Sequence, residues 1–474
     1  MEKQNQEAIY DARTLGTGKM LVLGFQHMFA MFGATVLVPL LTGLDIATTL
    51  LMAGLGTLLF HLLAKGKVPA FLGSSFAFLG GYAAVAPLAG TAEMTNAQLL
   101  PYASIGVACA GLVYLVLAAL IKLVGVKKVM KFFPPIVTGP IIISIGLGLA
   151  GSAVSNCQTN WIMAIIALAI VVIFNIWGKG MAKIIPILLG VVGSCVIAAI
   201  LALLFGKTVD IGGAEYIAIA GNPNMSLFSV GALEGFMEAS WIGFPIKWNQ
   251  TVFGGIDWSN SSLVISSVIA IIPIALATMM EHIGDISAIS STVGKNYIAE
   301  PGLHRTLMGD GLATTLSALF GGPANTTYGE NTGVLALSKV YDPRVIRIAA
   351  VLAIILSFSP KFAALVNLIP TAIIGGISFI LYGMISAIGV RNVVENQVDL
   401  TKSRNLIVAA VILVSALGLG SAATFTIGKI TISLSALAVA SILGIVLNAI
   451  LPGKDFEFKT EPAQDADTGV NFKV

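Results

Sequence analysis

The stretch NWIMAIIALAIVVIFNIW, residues 160–177, carries no charge over its whole length. About twenty apolar residues are what a helix needs to cross a bilayer, so a run like this restricts the chain to few surroundings. LIVAAVILVSALGLG, 406–420, is a second run of the same kind. Only 10% of the 474 residues are charged and 57% are hydrophobic, against about 25% charged in a typical soluble domain. That is too little charge to cover a water-facing surface, and the reading is an all-α polytopic membrane protein. The first eighteen residues are polar and mixed in charge, without the apolar stretch and small-residue cleavage site of a signal peptide. The first span is therefore expected to direct insertion itself.

Fourteen apolar segments can be read, centred near 31, 56, 79, 110, 144, 168, 194, 272, 313, 332, 353, 378, 412 and 440. The third and tenth are weak, since each opens with an irregular polar or glycine-rich stretch. With a cytoplasmic N-terminus, sixteen Lys and Arg fall in cytoplasmic loops and four in outer loops. That bias fits an even number of spans in the cell (inner) membrane with both termini cytoplasmic. The longest loop, 206–260, carries Asp210, Glu215, Glu234, Glu238 and Asp257, is expected outside, and divides the spans seven and seven.

The halves resemble each other. GLGTLL (54–59) matches GLATTL (311–316); each is followed by a proline, Pro69 or Pro323, and then a polar break, GSSFAF (73–78) or NTTYGENTG (325–333). Aligning the prolines sets Phe76 opposite Glu330. PIVTGPIIISIGLG (135–148) likewise pairs with PTAIIGGISFILYG (370–383). Seven is odd, so the second copy enters from the opposite side: the inverted-repeat plan of secondary transporters, whose broken segments mark the substrate site. Irregular backbone at membrane depth is tolerated only where it is buried in protein or lines a wet cavity. Each break is expected to be a short strand leading into a half-helix, whose free N–H groups suit a ligand with carbonyl oxygens.

The segment ALATMMEHIGDIS places Glu281 and Asp285 four residues apart, on one helix face. With Glu330 they make three acids near one point, and carboxylates crowded at low dielectric cannot all ionise. This is the composition of a proton-coupled binding site. His27, beside Gln26 in the first span, reads equally well as a packing histidine or as part of the site. Phe76 could stack on a planar ring and Tyr382 could offer a hydroxyl, although both residue types more often fill cores. His282 neighbours Glu281 and should point elsewhere, while His61 and His304 look interfacial. Ser74 and Ser75 have no base positioned for nucleophilic catalysis, which disfavours a membrane hydrolase. No His, Cys and carboxylate spacing suggests a metal or other cofactor, and Cys109, Cys157 and Cys195 read as small packing residues. A net charge of +3 without a basic cluster gives no sign of nucleic acid as a partner.

At these residues the chain resembles the nucleobase–ascorbate transporter (nucleobase:cation symporter-2) family, nearest its bacterial uracil permeases. The matching segments are QHMFAMFGATVLVPLL, KGKVPAFLGSSFAF, EHIGD, PGLHR and NTTYGENTGVLALSKVY, the last fitting the family signature at Glu330, Asn331, Gly333, Ser338 and Lys339. The resemblance implies tails at 1–18 and 453–474, and a core domain of 19–123 and 261–362 that binds substrate. It implies a gate domain of 124–205 and 363–452 through which two copies form a homodimer. Glu281 and Glu330 would hold the substrate. Phe76 and Gly329 would offer backbone N–H groups, Tyr382 would contribute from the gate, and Gln26, His27, Ser75 and Asn331 would support the site. The reaction implied is import of a nucleobase, uracil first, with protons as the coupling ion. One departure points toward a xanthine or other oxopurine: the resembling uracil permeases usually have histidine where Asp285 stands. A channel is the more distant alternative.

Overall fold

The protein is represented by a computed structural model that describes residues 8–91, 93–419, 423–427 and 430–453. Among the described residues it is mostly helical, and seven helices there are long and apolar enough to cross a bilayer. These are α1 (Thr17–Thr42), α2 (Ile46–Leu63), α4 (Asn96–Val124), α5 (Pro135–Cys157), α7 (Pro186–Phe205), α8 (Ser261–Val293, with a turn at 272–273) and α12 (Thr371–Glu395). Shorter helices lie between them, α3 (Leu79–Val85), α6 (Trp161–Trp177), α9 (Leu303–Leu319), α10 (Gly329–Ser338) and α11 (Pro343–Ser357), and after them, α13 (Ser403–Gly418) and α14 (Ala436–Ile450). After α11 the chain turns by 89° into Pro360–Asn367, because Pro360 cannot continue the helical ladder.

Local signals explain the ends. Gly43 closes α1 in the left-handed region at φ 84°, returning its N–H to the Pro39 carbonyl, and Asp45 caps α2 through the Thr48 N–H. Glycine sets how closely the helices approach. A Cβ on Gly111 of α4 would lie 2.6 Å from the Gly311 carbonyl of α9, and the reverse distance is the same. Between α5 and α12, a Cβ on Gly146 would lie 2.1 Å from the Tyr382 carbonyl, and Ser386 donates to the Ile143 carbonyl at 2.9 Å. Backbone contact of this kind is how helices associate when lipid is as apolar as their side chains.

Strands are few. β1 (Leu72–Ser74) lies in the first polar break. The long loop holds a three-stranded antiparallel sheet of β2 (Gly206–Ile211), β3 (Ala214–Ile219) and β4 (Ser226–Ser229), and β5 (Asn325–Thr327) lies in the second break. Ala423–Ile427 pairs antiparallel with Ile430–Leu434.

Candidate functional site

The two breaks satisfy each other. β1 and β5 pair antiparallel with Leu72 opposite Thr327, Gly73 opposite Thr326 and Ser74 opposite Asn325. Tyr328 N–H donates to the Phe71 carbonyl at 3.0 Å, and Ser75 N–H to the Ala324 carbonyl at 2.9 Å. These two bonds mirror each other about the Gly73–Thr326 pair, making Ser75 the counterpart of Tyr328 and Phe76 the counterpart of Gly329. The proline alignment is therefore one residue out, because Pro69 precedes Gly73 by four positions and Pro323 precedes Thr326 by three. After each strand the chain turns helical, through a 3₁₀ turn at Phe76–Phe78 into α3, and at Gly329 into α10.

Hydrogen bonds from neighbouring helices hold the pair in place. Thr57 of α2 accepts from the Leu72 N–H at 2.9 Å and donates to the Leu72 carbonyl at 3.2 Å. Thr314 of α9 donates to the Asn325 carbonyl at 2.5 Å, and Asn325 Nδ2 donates to the Met52 carbonyl at 2.9 Å. The Tyr328 hydroxyl donates to the Ser74 carbonyl at 2.9 Å, and Ser74 Oγ donates to the Thr35 carbonyl at 3.0 Å. Gly73 has no room for a side chain: a Cβ would lie 2.5 Å from Tyr328 Cε2 and 2.8 Å from Thr35 Oγ1.

The acids of α8 stand against this frame. Thr327 Oγ1 donates to Asp285 Oδ2 at 2.8 Å, and a Cβ on Gly329 would lie 3.9 Å from Asp285 Oδ1. Glu281 is one turn away, half-buried like Asp285, whereas His282, Ile283 and Ile286 are buried. Gly284, between the acids, is exposed, and a Cβ there would meet nothing within 4 Å. Gly329 is exposed although Thr327 and Tyr328 before it are buried. The acid face of α8 and the start of α10 thus open on the same side of the strand pair. Glu330 is the second residue of α10, and its side chain lies outside the described residues.

Two flanks complete the site. The Phe76 and Tyr382 rings meet edge to face, with centroids 6.3 Å apart and planes at 76°. Tyr382 comes from α12, so an aromatic contact bridges the first break and a helix from the far end of the chain. In α10, Asn331 Nδ2 lies 3.1 Å from His27 Nδ1 and 3.2 Å from the His27 carbonyl. Its amide donates to the ring, which puts the imidazole proton on Nε2. That nitrogen is buried and has no partner among the described residues; the same holds for Ser75 Oγ. Gln26 is half-buried, next to His27 in α1.

Two histidines read differently in the fold. His61 is not interfacial: it is 2% exposed, and its Nε2 lies 2.8 Å from the Ala70 carbonyl, where the chain enters β1. His282 is buried, unlike the half-buried Glu281 and Asp285, and it meets a carboxylate that sequence reasoning passed over. Its Nδ1 lies 3.1 Å from Asp310 Oδ2 of α9, both side chains fully buried, with Thr327 Oγ1 3.5 Å from the same nitrogen. The signal was available, since an acid inside an apolar segment needs a partner.

Comparisons with known proteins follow this arrangement. The Permease family profile matches residues 18–427. A uracil permease of Bacillus caldolyticus is 40% identical over 92% of this chain and 93% of its own length. A uracil permease of Bacillus subtilis (strain 168) is 38% identical over 90% and 91%, and the putative pyrimidine permease RutG of Escherichia coli (strain K12) is 37% identical over 91% and 89%. Among solved structures, the transmembrane domain of the cyanobacterial bicarbonate transporter BicA aligns with TM-score 0.60 at 16% identity, covering 92% of this chain and 99% of that one. The SLC26A9 structure aligns with TM-score 0.62 at 12% identity, covering 93% and 66%. These two likenesses concern the fold alone. Residues 18–427 and relatives matched along nearly their whole length lead to one conclusion: the chain belongs to the nucleobase–ascorbate transporter (nucleobase:cation symporter-2) family of multi-pass membrane permeases.

Proposed function

We propose that this protein is a proton-coupled symporter that imports uracil across the cell membrane. The observation that carries the reading is the convergence of the paired breaks with the acid face of α8, fixed by the bond from Thr327 to Asp285. Uracil presents alternating N–H donors and carbonyl acceptors around one plane. Carboxylates at Glu281 and Glu330 accept from the donors, while the first N–H groups of the helical turns at Phe76 and Gly329 donate to the carbonyls. Phe76, braced edge-on by Tyr382, covers a face of the ring. His27 Nε2–H and Ser75 Oγ, buried without a partner among the described residues, support this site directly or through water.

Coupling rests on the acids: Glu281, Asp285 and Glu330 supply carboxylates that can carry a proton, and that proton travels with the substrate. The antiparallel pairing of the two breaks fits two inverted repeats; the larger plan adds fourteen segments and cytoplasmic termini. In that plan a core of 19–123 and 261–362 moves against a gate of 124–205 and 363–452, and two copies join through their gates. The Phe76–Tyr382 contact is where core and gate meet over the substrate.

A second reading within the class rests on Asp285. Its carboxylate beside Gly329 is a third acceptor, which suits the additional N–H of a purine dione such as xanthine. Titration of the purified protein with uracil, xanthine, guanine and ascorbate tests both. Uracil binding that Glu281→Ala abolishes supports the first reading, xanthine binding alone supports the second, and ascorbate binding alone rejects both.

A further inference from the structure

Residues 239–260 form a collar over one end of the helix bundle. Its backbone is pinned to several helix ends: Gly243 N–H donates to the Phe358 carbonyl at 2.9 Å, and Lys361 N–H to the Ser240 carbonyl at 2.9 Å. Tyr102 of α4 donates to the Asp257 carbonyl at 3.2 Å, and Lys247 pairs with Asp45 at 2.7 Å. Pinned this way, the stretch turns its largest apolar side chains outward. Trp241, Ile242, Phe244, Trp248, Phe253 and Trp258 are each at least half exposed, and Lys247 and Asp257 are the only charged residues in the segment. A loop bathed in water presents the opposite pattern, and so many large apolar side chains turned outward in one segment mark a contact with something else.

Helix α6 indicates what that is. Its seventeen residues span about 25 Å at 1.5 Å per residue, close to the hydrocarbon thickness, with exposed tryptophans at both ends, Trp161 and Trp177. Tryptophans so placed mark the two membrane–water interfaces. The long loop is tied to the Trp161 end, where Ser226 N–H donates to the Thr159 carbonyl at 3.3 Å and Asn160 Nδ2 to the Ser226 carbonyl at 3.2 Å. The collar belongs to the same loop; its tethers at Asp45 and Phe358 cap helices, and Tyr102 lies in the second turn of α4. Its amphipathic rings, interspersed with Ser240, Asn249, Gln250 and Ser259, have the composition of an interfacial belt.

We infer that residues 239–260 lie in the lipid headgroup–acyl boundary at the Trp161 level, as a membrane-embedded collar around the bundle. The inference rests on the chain being a membrane protein and is independent of its substrate. All five tryptophans are spectroscopic reporters, two in α6 and three in the collar. Full-length protein carrying Trp161→Phe and Trp177→Phe leaves only the collar tryptophans. In vesicles of phosphatidylcholine brominated at carbons 6 and 7, its emission is expected to fall by a third or more relative to unbrominated vesicles. Aqueous iodide is expected to quench it several-fold less than free tryptophan. Quenching by iodide alone places the collar in water, and quenching by neither agent means that protein covers it; either result overturns the inference. Wild-type melting temperature of the double variant in detergent confirms that the fold reports unaltered.

Discussion

Thr327 Oγ1 lies 2.8 Å from Asp285 Oδ2, joining the second break to the acid-bearing helix through one hydrogen bond. Thr327 is also the strand partner of Leu72, so the acid's position is referred to both breaks at once. A hydrogen bond to a charged group contributes about 1.5–3 kcal/mol, which is about tenfold or more in an equilibrium constant. Thr327→Val keeps the shape and removes the donor. The KM for uracil uptake is expected to rise about tenfold at unchanged expression, with Thr327→Ser close to wild type. An unchanged KM in the valine variant would detach Asp285 from the site.

Gly73 is a packing requirement, since any Cβ meets the Tyr328 ring and Thr35. Overpacking costs about 1–3 kcal/mol, and here the strain falls on the strand pair. Gly73→Ala is expected to lower the melting temperature and abolish uptake. Gly80→Ala, where a Cβ meets nothing within 4 Å, is the matched control and should retain both. Equal behaviour of the two variants would show that the close approach at Gly73 has no consequence.

Much of this arrangement can be read in the sequence, and the reasons differ by residue. The breaks at Gly73 and Asn325 stand out because polar residues and glycines interrupt apolar runs, and the i,i+4 spacing of Glu281 and Asp285 fixes their shared face. Strand register is not legible: it depends on hydrogen bonds such as that from the Tyr328 N–H to the Phe71 carbonyl, over 250 residues apart, and a proline anchor misses it by one position. The His282–Asp310 pair is likewise tertiary, joining α8 to α9 through side chains that no local pattern connects. His61 looks interfacial because it stands near the end of α2 among lysines, yet the extended chain at Ala70 folds back over it. The contact of Phe76 with Tyr382 depends on how two distant parts of the fold pack.

The proposed proton coupling has a direct consequence for pH. With one acid of the cluster protonated for binding or translocation, acidifying the substrate-entry side fills the carrier with protons and adds to the driving gradient. Uptake is expected to rise severalfold as external pH falls from 8 to 6 and to collapse with a protonophore. Uptake that follows sodium and ignores both pH and protonophore would assign a different coupling ion.

Selectivity tests the central claim most directly. In the proposed site, carboxylates at Glu281 and Glu330 would match a small ring with N–H groups on opposite edges, while Asp285 would serve a purine. The measurement is competition against radiolabelled uracil in proteoliposomes by unlabelled uracil, thymine and xanthine. The account expects saturable uracil uptake that unlabelled uracil abolishes, with xanthine at least tenfold weaker as a competitor. Xanthine competing as well as uracil, or an absence of uracil uptake in active vesicles, would contradict it.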